Sequence, residues 1–202
     1  MATDFIYLAS ASPRRRELLA QIGVPFRVLA SGVSEVRRAD ERPEAYVERV
    51  AVEKADEIWG QVAASEPAPV LAADTAVVID DDVLGKPRGE AEALAMLERL
   101  SGRSHKVLTA LALRWDSGHD TVISSSEVRF RATTESERSA YCRSEEPYDK
   151  AGGYAIQGFA ALFVEHLSGS YSAVMGLPLC ETAAMLGRFG LPAWLAGGML
   201  QQ

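Results

Sequence analysis

Residues 69–87, PVLAADTAVVIDDDVLGKP, constrain the fold more than any other stretch of the chain. Small and β-branched apolar residues occupy 70–73 and again 76–79. Bounded by prolines and acids, such a run reads as a buried strand or a pair of strands. Asp74 and Thr75 interrupt it. A carboxylate in that setting is costly unless it is paired, hydrogen-bonded or metal-bound. An acidic turn at 80–82 leads through Gly85 to Lys86 and Pro87. One carboxylate and one ammonium thus flank a compact hairpin-like unit, and the rest of the chain is expected to bring further charge to it.

Upstream, a short strand over 5–9 is followed by Ser-Ala-Ser-Pro at 10–13, which opens a helix. Ser12 is expected to cap it, and Pro13 suits its first position. Gly23 ends it. Arg14, Arg15 and Arg16 crowd the first turn, where cations oppose the helix dipole. A bound phosphate resolves that conflict, because free N–H groups, hydroxyls and guanidiniums can all point at it; a solvated basic turn is the alternative. A second strand over 24–30 leads towards Glu35. A helix over about 43–59 carries Val47, Val50, Ala51, Ala55 and Ile58 at helical spacing. Lys54 falls on the same stripe, so it either snorkels past the core edge or reaches into a cleft.

Downstream, a helix over 89–100 places Leu94, Leu97 and Leu100 inward. Residues 105–115 alternate, with Val107, Thr109, Leu111, Leu113 and Trp115 on one face of a strand. A turn at 116–119 returns as a strand over 121–130. Thr134 and Glu137 form a capping box for a helix to about 143. The segment EPYDKAGGYAIQG at 146–158 carries Asp149, Lys150 and Gln157 on a glycine-punctuated backbone. Such a backbone turns sharply or approaches something closely; an ordinary surface turn is the alternative. Strands are expected over 160–167 and 171–175 about a tight turn. A last helix from 178 has Leu179, Ala183, Leu186 and Phe189 inward. Residues 191–202 read as an apolar tail or an oligomer contact. Helices alternate with strands early and hairpins follow later, which predicts an α/β fold with a mixed, twisted sheet and flanking helices.

The 202 residues suit one large domain, or two lobes sharing a core. A net charge of −7 disfavours a nonspecific grip on nucleic acid or anionic membrane. It does not prevent a local basic cluster from holding a small anion. No apolar stretch approaches the roughly 20 residues of a membrane span. The basic residues follow the N-terminal apolar run, the reverse of a signal peptide, so a cytoplasmic protein is expected. Cys142 and Cys180 are expected as reduced, packed thiols. His105, His119 and His166 are expected to be structural or at the surface. The P-loop and dinucleotide fingerprints are absent.

The polar residues held in apolar or glycine-punctuated settings are Ser10, Arg14, Arg15, Glu35, Lys54, Asp74, Thr75, Lys86, Asp149, Lys150 and Gln157. Several cations against few carboxylates suit a polyphosphate with one divalent cation. Magnesium needs only one or two protein carboxylates. Arginine and lysine neutralise charge on phosphoryl oxygens. With no nucleophile elbow and no Cys–His pairing, water attack is favoured over a covalent intermediate.

Eight stretches carry a resemblance. They are LASASPRR at 8–15, SEVR at 34–37, EKA at 53–55, AADT at 72–75, GKPR at 85–88, LSGRSHKVLTA at 100–110, EPYDKAGGYAIQG at 146–158 and GSYSAVMGLPL at 169–179. In these the chain resembles the Maf family of nucleoside triphosphate pyrophosphatases, in particular the branch that hydrolyses dTTP and UTP. The resemblance spans about 6–189. It implies a single Maf-like domain over 1–202, two lobes around a cleft, related to the inosine triphosphate pyrophosphatases. It also implies cleavage to a nucleoside monophosphate and pyrophosphate with a divalent cation, magnesium or alternatively manganese. By the same resemblance Asp74 is the catalytic base, with Lys54, Lys86 and Lys150 as catalytic cations. Ser10, Arg14, Arg15, Thr75 and Gln157 bind substrate, and Glu35 and Asp74 are the metal carboxylates. A nucleoside triphosphate is the expected partner, without stable nucleic-acid or membrane binding; a homodimer is common among relatives. Other noncanonical nucleotides, or a nucleotide-binding role in cell division, are the alternative functions. Ser34 stands where many relatives have a second acid, Val52 replaces a frequent arginine and Glu145 a frequent glycine.

Overall fold

A computed structural model describes residues 4–191. Its strands form one seven-stranded mixed sheet. β1 (Ile6–Leu8) pairs in parallel with β2 (Phe26–Val28) on one side and with the start of β3 (Val70–Ile79) on the other. β3 turns back antiparallel into β4 (Asp82–Leu84), with Val77 opposite Leu84. The positive φ angles of Asp80 and Asp81 make that tight turn. The order continues from β3 to β5 (Ser104–Trp115), β6 (Gly118–Phe130) and β7 (Val164–Ser168), with β6 and β7 antiparallel. Among the described residues six α-helices accompany the sheet: α1 (Pro13–Gln21), α2 (Pro43–Val62), α3 (Glu90–Leu100), α4 (Glu135–Cys142), α5 (Tyr171–Met175) and α6 (Leu179–Gly187).

The chain divides into two compact units. The first comprises the chain up to Asp74, Thr109–Ile123 and the segment from Gly176 onward; the second comprises Thr75–Leu108 and Ser124–Met175. In the first unit α2 buries Val47, Val50, Ala51, Ala55 and Ile58, the expected stripe, and Lys54 is buried with them. In the second unit Leu97, Leu100, Val77, Val128, Phe130 and Phe163 belong to one hydrophobic core. Residues 107–113 of β5 are all buried, so the face opposite Val107, Thr109, Leu111 and Leu113, which the alternation predicts to be exposed, is covered as well.

The capping box forms as expected: Glu137 N–H donates to the Thr134 hydroxyl, and the Glu137 carboxylate accepts from Thr134 N–H. Several other expectations do not hold. Ser12 makes no side-chain cap to α1; its N–H instead donates to the Ser10 hydroxyl at 3.2 Å. Residues 171–175 are a short helix rather than a strand, started by Ala173 N–H donating to the Ser170 hydroxyl. Residues 159–162 form a 3-10 turn, so β7 begins only at Val164. The α6 stripe falls on Thr182, Met185 and Leu186 rather than on Ala183 and Phe189. Both cysteines are free, but Cys180 is exposed rather than packed. His105 is buried, and His119 and His166 are exposed. Most of the tail expectation, 192–202, lies outside the described residues.

Candidate active site

Asp74 lies at the middle of β3 and is only 5% exposed. Its Oδ1 accepts a hydrogen bond from Lys54 Nζ at 2.7 Å. The same ammonium reaches Glu35 Oε1 at 2.6 Å. The aliphatic stem of Lys54 therefore shares the buried stripe of α2 while its head bridges two carboxylates, which decides between the two readings of that lysine. Glu35 sits on a loop held by α2. Tyr46 donates its hydroxyl to the Glu35 carbonyl at 3.0 Å, and Arg49 reaches the Val36 carbonyl at 3.1 Å. Arg49 also pairs with Glu41 at 2.6 Å, and holds that carboxyl at about 2.

Burial raises the Asp74 pKa above the ordinary carboxylate value, while the charges of Lys54 and Arg15 pull it back. Burial, reinforced by Asp74 and Glu35, pushes the Tyr46 hydroxyl up to about 12, so it remains a donor to the Glu35 loop. A buried carboxylate with raised basicity beside a cation has the properties of a proton acceptor.

Arg15 lies in the first turn of α1. Its Nε donates to the Gly176 carbonyl at 2.8 Å, and its Nη1 to the Ser10 hydroxyl at 3.4 Å. Burial lowers the Arg15 pKa, and the negative charges of Asp74 and Glu35 oppose that shift. The first unit thus brings Ser10, Arg15, Glu35, Lys54 and Asp74 together, with Arg14 beside Arg15. Gly176 and Tyr46, which hold two of these residues, were not singled out in the sequence. Tyr46 could have been found, since it continues the α2 stripe one turn before Val50.

Two carboxylates at one ammonium are a hard-oxygen donor set. Among the described residues no group of three or more His, Cys, Asp or Glu side chains is arranged to hold a metal. The set fits a cation such as magnesium, which takes one or two protein carboxylates and fills its shell with water and substrate oxygens.

The second unit carries the remaining candidates. Thr75 is half-buried on β3 and Lys86 is exposed just after β4. Gly152 N–H donates to the Gly85 carbonyl at 3.0 Å, so the backbone ties the neighbour of Lys86 to the Lys150 segment. Gly152 has φ +68, and a Cβ there would lie 2.8 Å from the Val77 side chain. Glycine is needed on both counts. Lys150 pairs with Asp149. Gln157 is exposed on a turn closed by Gly158 N–H to the Ala155 carbonyl at 3.0 Å. Glu146 and Tyr141 hold this turn through hydrogen bonds to the backbone of Ala155, Phe159 and Ala160; nothing in the motif at 146–158 points to that role for Glu146.

The chain matches the model of the family described as Maf-like protein over residues 5–189. It is 53% identical over 187 residues to the dTTP/UTP pyrophosphatase of Alkalilimnicola ehrlichii, covering 91% of this chain and 92% of that protein. It is 54% identical over 186 residues to the dTTP/UTP pyrophosphatase of Methylococcus capsulatus, covering 92% and 91% respectively. The Staphylococcus aureus Ham1 protein overlays 62% of this chain and 71% of its own length. At 13% identity and a TM-score of 0.39, that likeness is too slight to carry an argument.

Proposed function

This chain belongs to the Maf-like protein family, and from that premise we propose that it hydrolyses dTTP and UTP to the nucleoside monophosphate and pyrophosphate. Relatives bearing that activity in their names, at 53% and 54% identity over almost the whole chain, support the substrate class. The observation that carries the chemistry is the buried Lys54–Asp74 pair with Glu35 on the same ammonium.

The reaction adds water across the bond between the α- and β-phosphates. Asp74 accepts the proton of the attacking water, whose oxygen ends on one product phosphate as the bridging bond breaks. Its raised pKa suits this role, because a general base works best when its basicity approaches the operating pH. Ser10, Arg14 and Arg15 stand at the N-terminal turn of α1, where backbone N–H groups and guanidiniums bind phosphate oxygens. Lys54, Lys86 and Lys150 supply positive charge against the phosphoryl oxygens. Asp74 and Glu35 would hold a divalent cation, magnesium by preference, which supplies further charge neutralisation when bound. Gln157 offers one donor and one acceptor to the paired carbonyl and N–H of a thymine or uracil edge, with Thr75 as a second substrate contact. In this reading the enzyme works on the cytoplasmic nucleotide pool. Among the described residues no helix is long and apolar enough to cross a membrane.

The test is pyrophosphate release from a panel of nucleoside triphosphates, with magnesium and with chelator, by wild type and Asp74→Asn. Release concentrated on dTTP and UTP, dependent on metal, is expected. The variant should lose about 10²–10⁴-fold in turnover, the usual contribution of a general base, while still binding nucleotide. Near-normal turnover by Asp74→Asn would remove Asp74 from the mechanism. Release spread over all bases would overturn the dTTP/UTP assignment.

A further inference from the structure

Gln157 is exposed, and among the described residues its side chain has no hydrogen-bond partner. No side-chain bond places its amide, so the reach of that amide is limited by where the backbone of the turn puts the Gln157 Cα–Cβ bond. That turn is pinned on both sides of Gln157. On the far side, Phe159 N–H donates to Glu146 Oε2 at 3.0 Å and Ala160 N–H to Glu146 Oε1 at 3.4 Å. On the near side, Ala155 N–H donates to the Tyr141 hydroxyl at 3.3 Å. The two anchors are joined, because Tyr141 donates its hydroxyl to Glu146 Oε1 at 2.8 Å.

The Glu146 carboxylate also fills the space beside the residue that follows Gln157. A Cβ built on Gly158 would overlap that carboxylate and displace it from the donors it holds. Tyr141 is 5% exposed and packs edge-on against Phe163 at 5.4 Å, which makes its hydroxyl a rigid post. All three groups aimed at Glu146 are donors: two backbone N–H groups and one hydroxyl. An ionised carboxylate, which only accepts, satisfies all three; an amide would set its own NH₂ against at least one of them. Each lost acceptor leaves a backbone N–H unpaired and loosens the turn.

We propose that Glu146, together with Tyr141, is a positioning residue that sets base selectivity by holding the turn that presents Gln157. The proposal rests on the reading of Gln157 as the residue that recognises the base. It assigns no chemistry to Glu146, which acts through Gln157.

The experiment is steady-state kinetics on dTTP, UTP, CTP and GTP with the full chain. The variants are Glu146→Gln, Tyr141→Phe, Gln157→Ala and the double Glu146→Gln/Gln157→Ala. Glu146→Gln is expected to raise KM for dTTP and UTP about tenfold, with kcat within about twofold, the signature of lost substrate positioning rather than lost chemistry. The constants for CTP and GTP should stay near those of wild type. Tyr141→Phe, which keeps the buried ring and folds even if Glu146→Gln does not, should move the same ratio in the same direction by a smaller factor. In the Gln157→Ala background, Glu146→Gln should add nothing to the loss of selectivity. A general structural defect would lower activity on all four nucleotides equally, and that result would overturn the proposal. So would full additivity in the double variant. The failure of the base-reading assignment is separately visible: Gln157→Ala alone would then leave the dTTP/UTP preference intact. If Gln157→Ala abolishes the preference and neither Glu146→Gln nor Tyr141→Phe alters it, only the Glu146–Tyr141 assignment falls.

Discussion

Replacing Lys54 by methionine keeps the stem that fills the α2 stripe and removes only the charge. Two carboxylates then lose their common cation, but not to equal effect. The Glu35 side chain is 38% exposed, so water screens its pair with Lys54 and little stability is lost there. The Asp74 side chain is 7% exposed, and its charge becomes buried and uncompensated except by the field of Arg15. Breaking a buried pair by removing one partner costs about 3–5 kcal/mol. With a urea dependence of about 2 kcal/mol per molar, the unfolding midpoint should fall by roughly 1.5–2.5 M at neutral pH. The sign of the pH dependence follows from Asp74, whose folded pKa burial already raises. Such a group favours the folded state fully below its unfolded pKa, and that advantage is lost as pH rises through the folded pKa. Removing Lys54 raises the folded pKa further. The deficit of Lys54→Met should therefore be largest at alkaline pH, above the raised folded pKa, and shrink as Asp74 takes up a proton on acidification. Adding Asp74→Asn should recover most of the loss. Urea unfolding of wild type, Lys54→Met and the double variant, in chelator at several pH values, measures this. A deficit that is independent of pH and unrescued by Asp74→Asn would refute the electrostatic argument.

Gln157→Glu, which keeps the acceptor and removes the donor, is expected to lower kcat/KM on dTTP and UTP about tenfold or more, and on other nucleotides far less; an equal loss across bases in the same assay would mean that Gln157 does not read the base. Burial holds the His105 pKa at about 4 against an ordinary 6.5, with Tyr154 on its Nε2 at 2.8 Å. The unfolded chain then takes up the proton first, so stability should fall as pH drops through 6.5 towards 4, by about 2 kcal/mol near pH 5. Denaturation curves of His105→Gln should lack that slope, and parallel curves would exclude His105 as its source. Glu145 has φ +62, a left-handed conformation that costs a non-glycine residue about 1–2 kcal/mol. Glu145→Gly should stabilise the protein by about 0.5–1 kcal/mol after the entropy of the freer unfolded chain is counted, seen as a higher thermal midpoint; an unchanged or lower midpoint would count against strain at that position.

The left-handed φ of Glu145 supplies a steric reason for the glycine that the resemblance implies at that position. The sequence records the glutamate without showing the φ angle that makes it matter. The β3–β4 hairpin and the α2 stripe were legible because their signals are local. Two-residue and 3.6-residue periodicities, prolines and acidic turns act through neighbours in the chain. The capping box at Thr134 was legible for the same reason. Residues 171–175 misled because Tyr-Ser-Ala-Val-Met has no strong periodicity, and the Ser170 hydroxyl starting a helix there outweighed the strand propensity of Tyr171 and Val174.

For the site, residue types and settings were enough to select Asp74 and Lys54 as charged groups out of place in apolar runs, and to mark Lys150 and Gln157 on a glycine-rich backbone. That much the sequence alone determined, because burying an ionisable group is so costly that its presence in an apolar run demands a partner. Which partner answers was decided only by tertiary structure. Lys54 could have snorkelled, and instead lies 2.7 Å from Asp74, a residue twenty positions away on another element. The Gly176 carbonyl that fixes Arg15 is 161 positions distant from it. The Glu146–Tyr141 anchor of the Gln157 turn depends on hydrogen bonds of 2.8–3.4 Å. Contacts between residues far apart in the chain leave no periodicity in one sequence, and only the packed core sets their geometry.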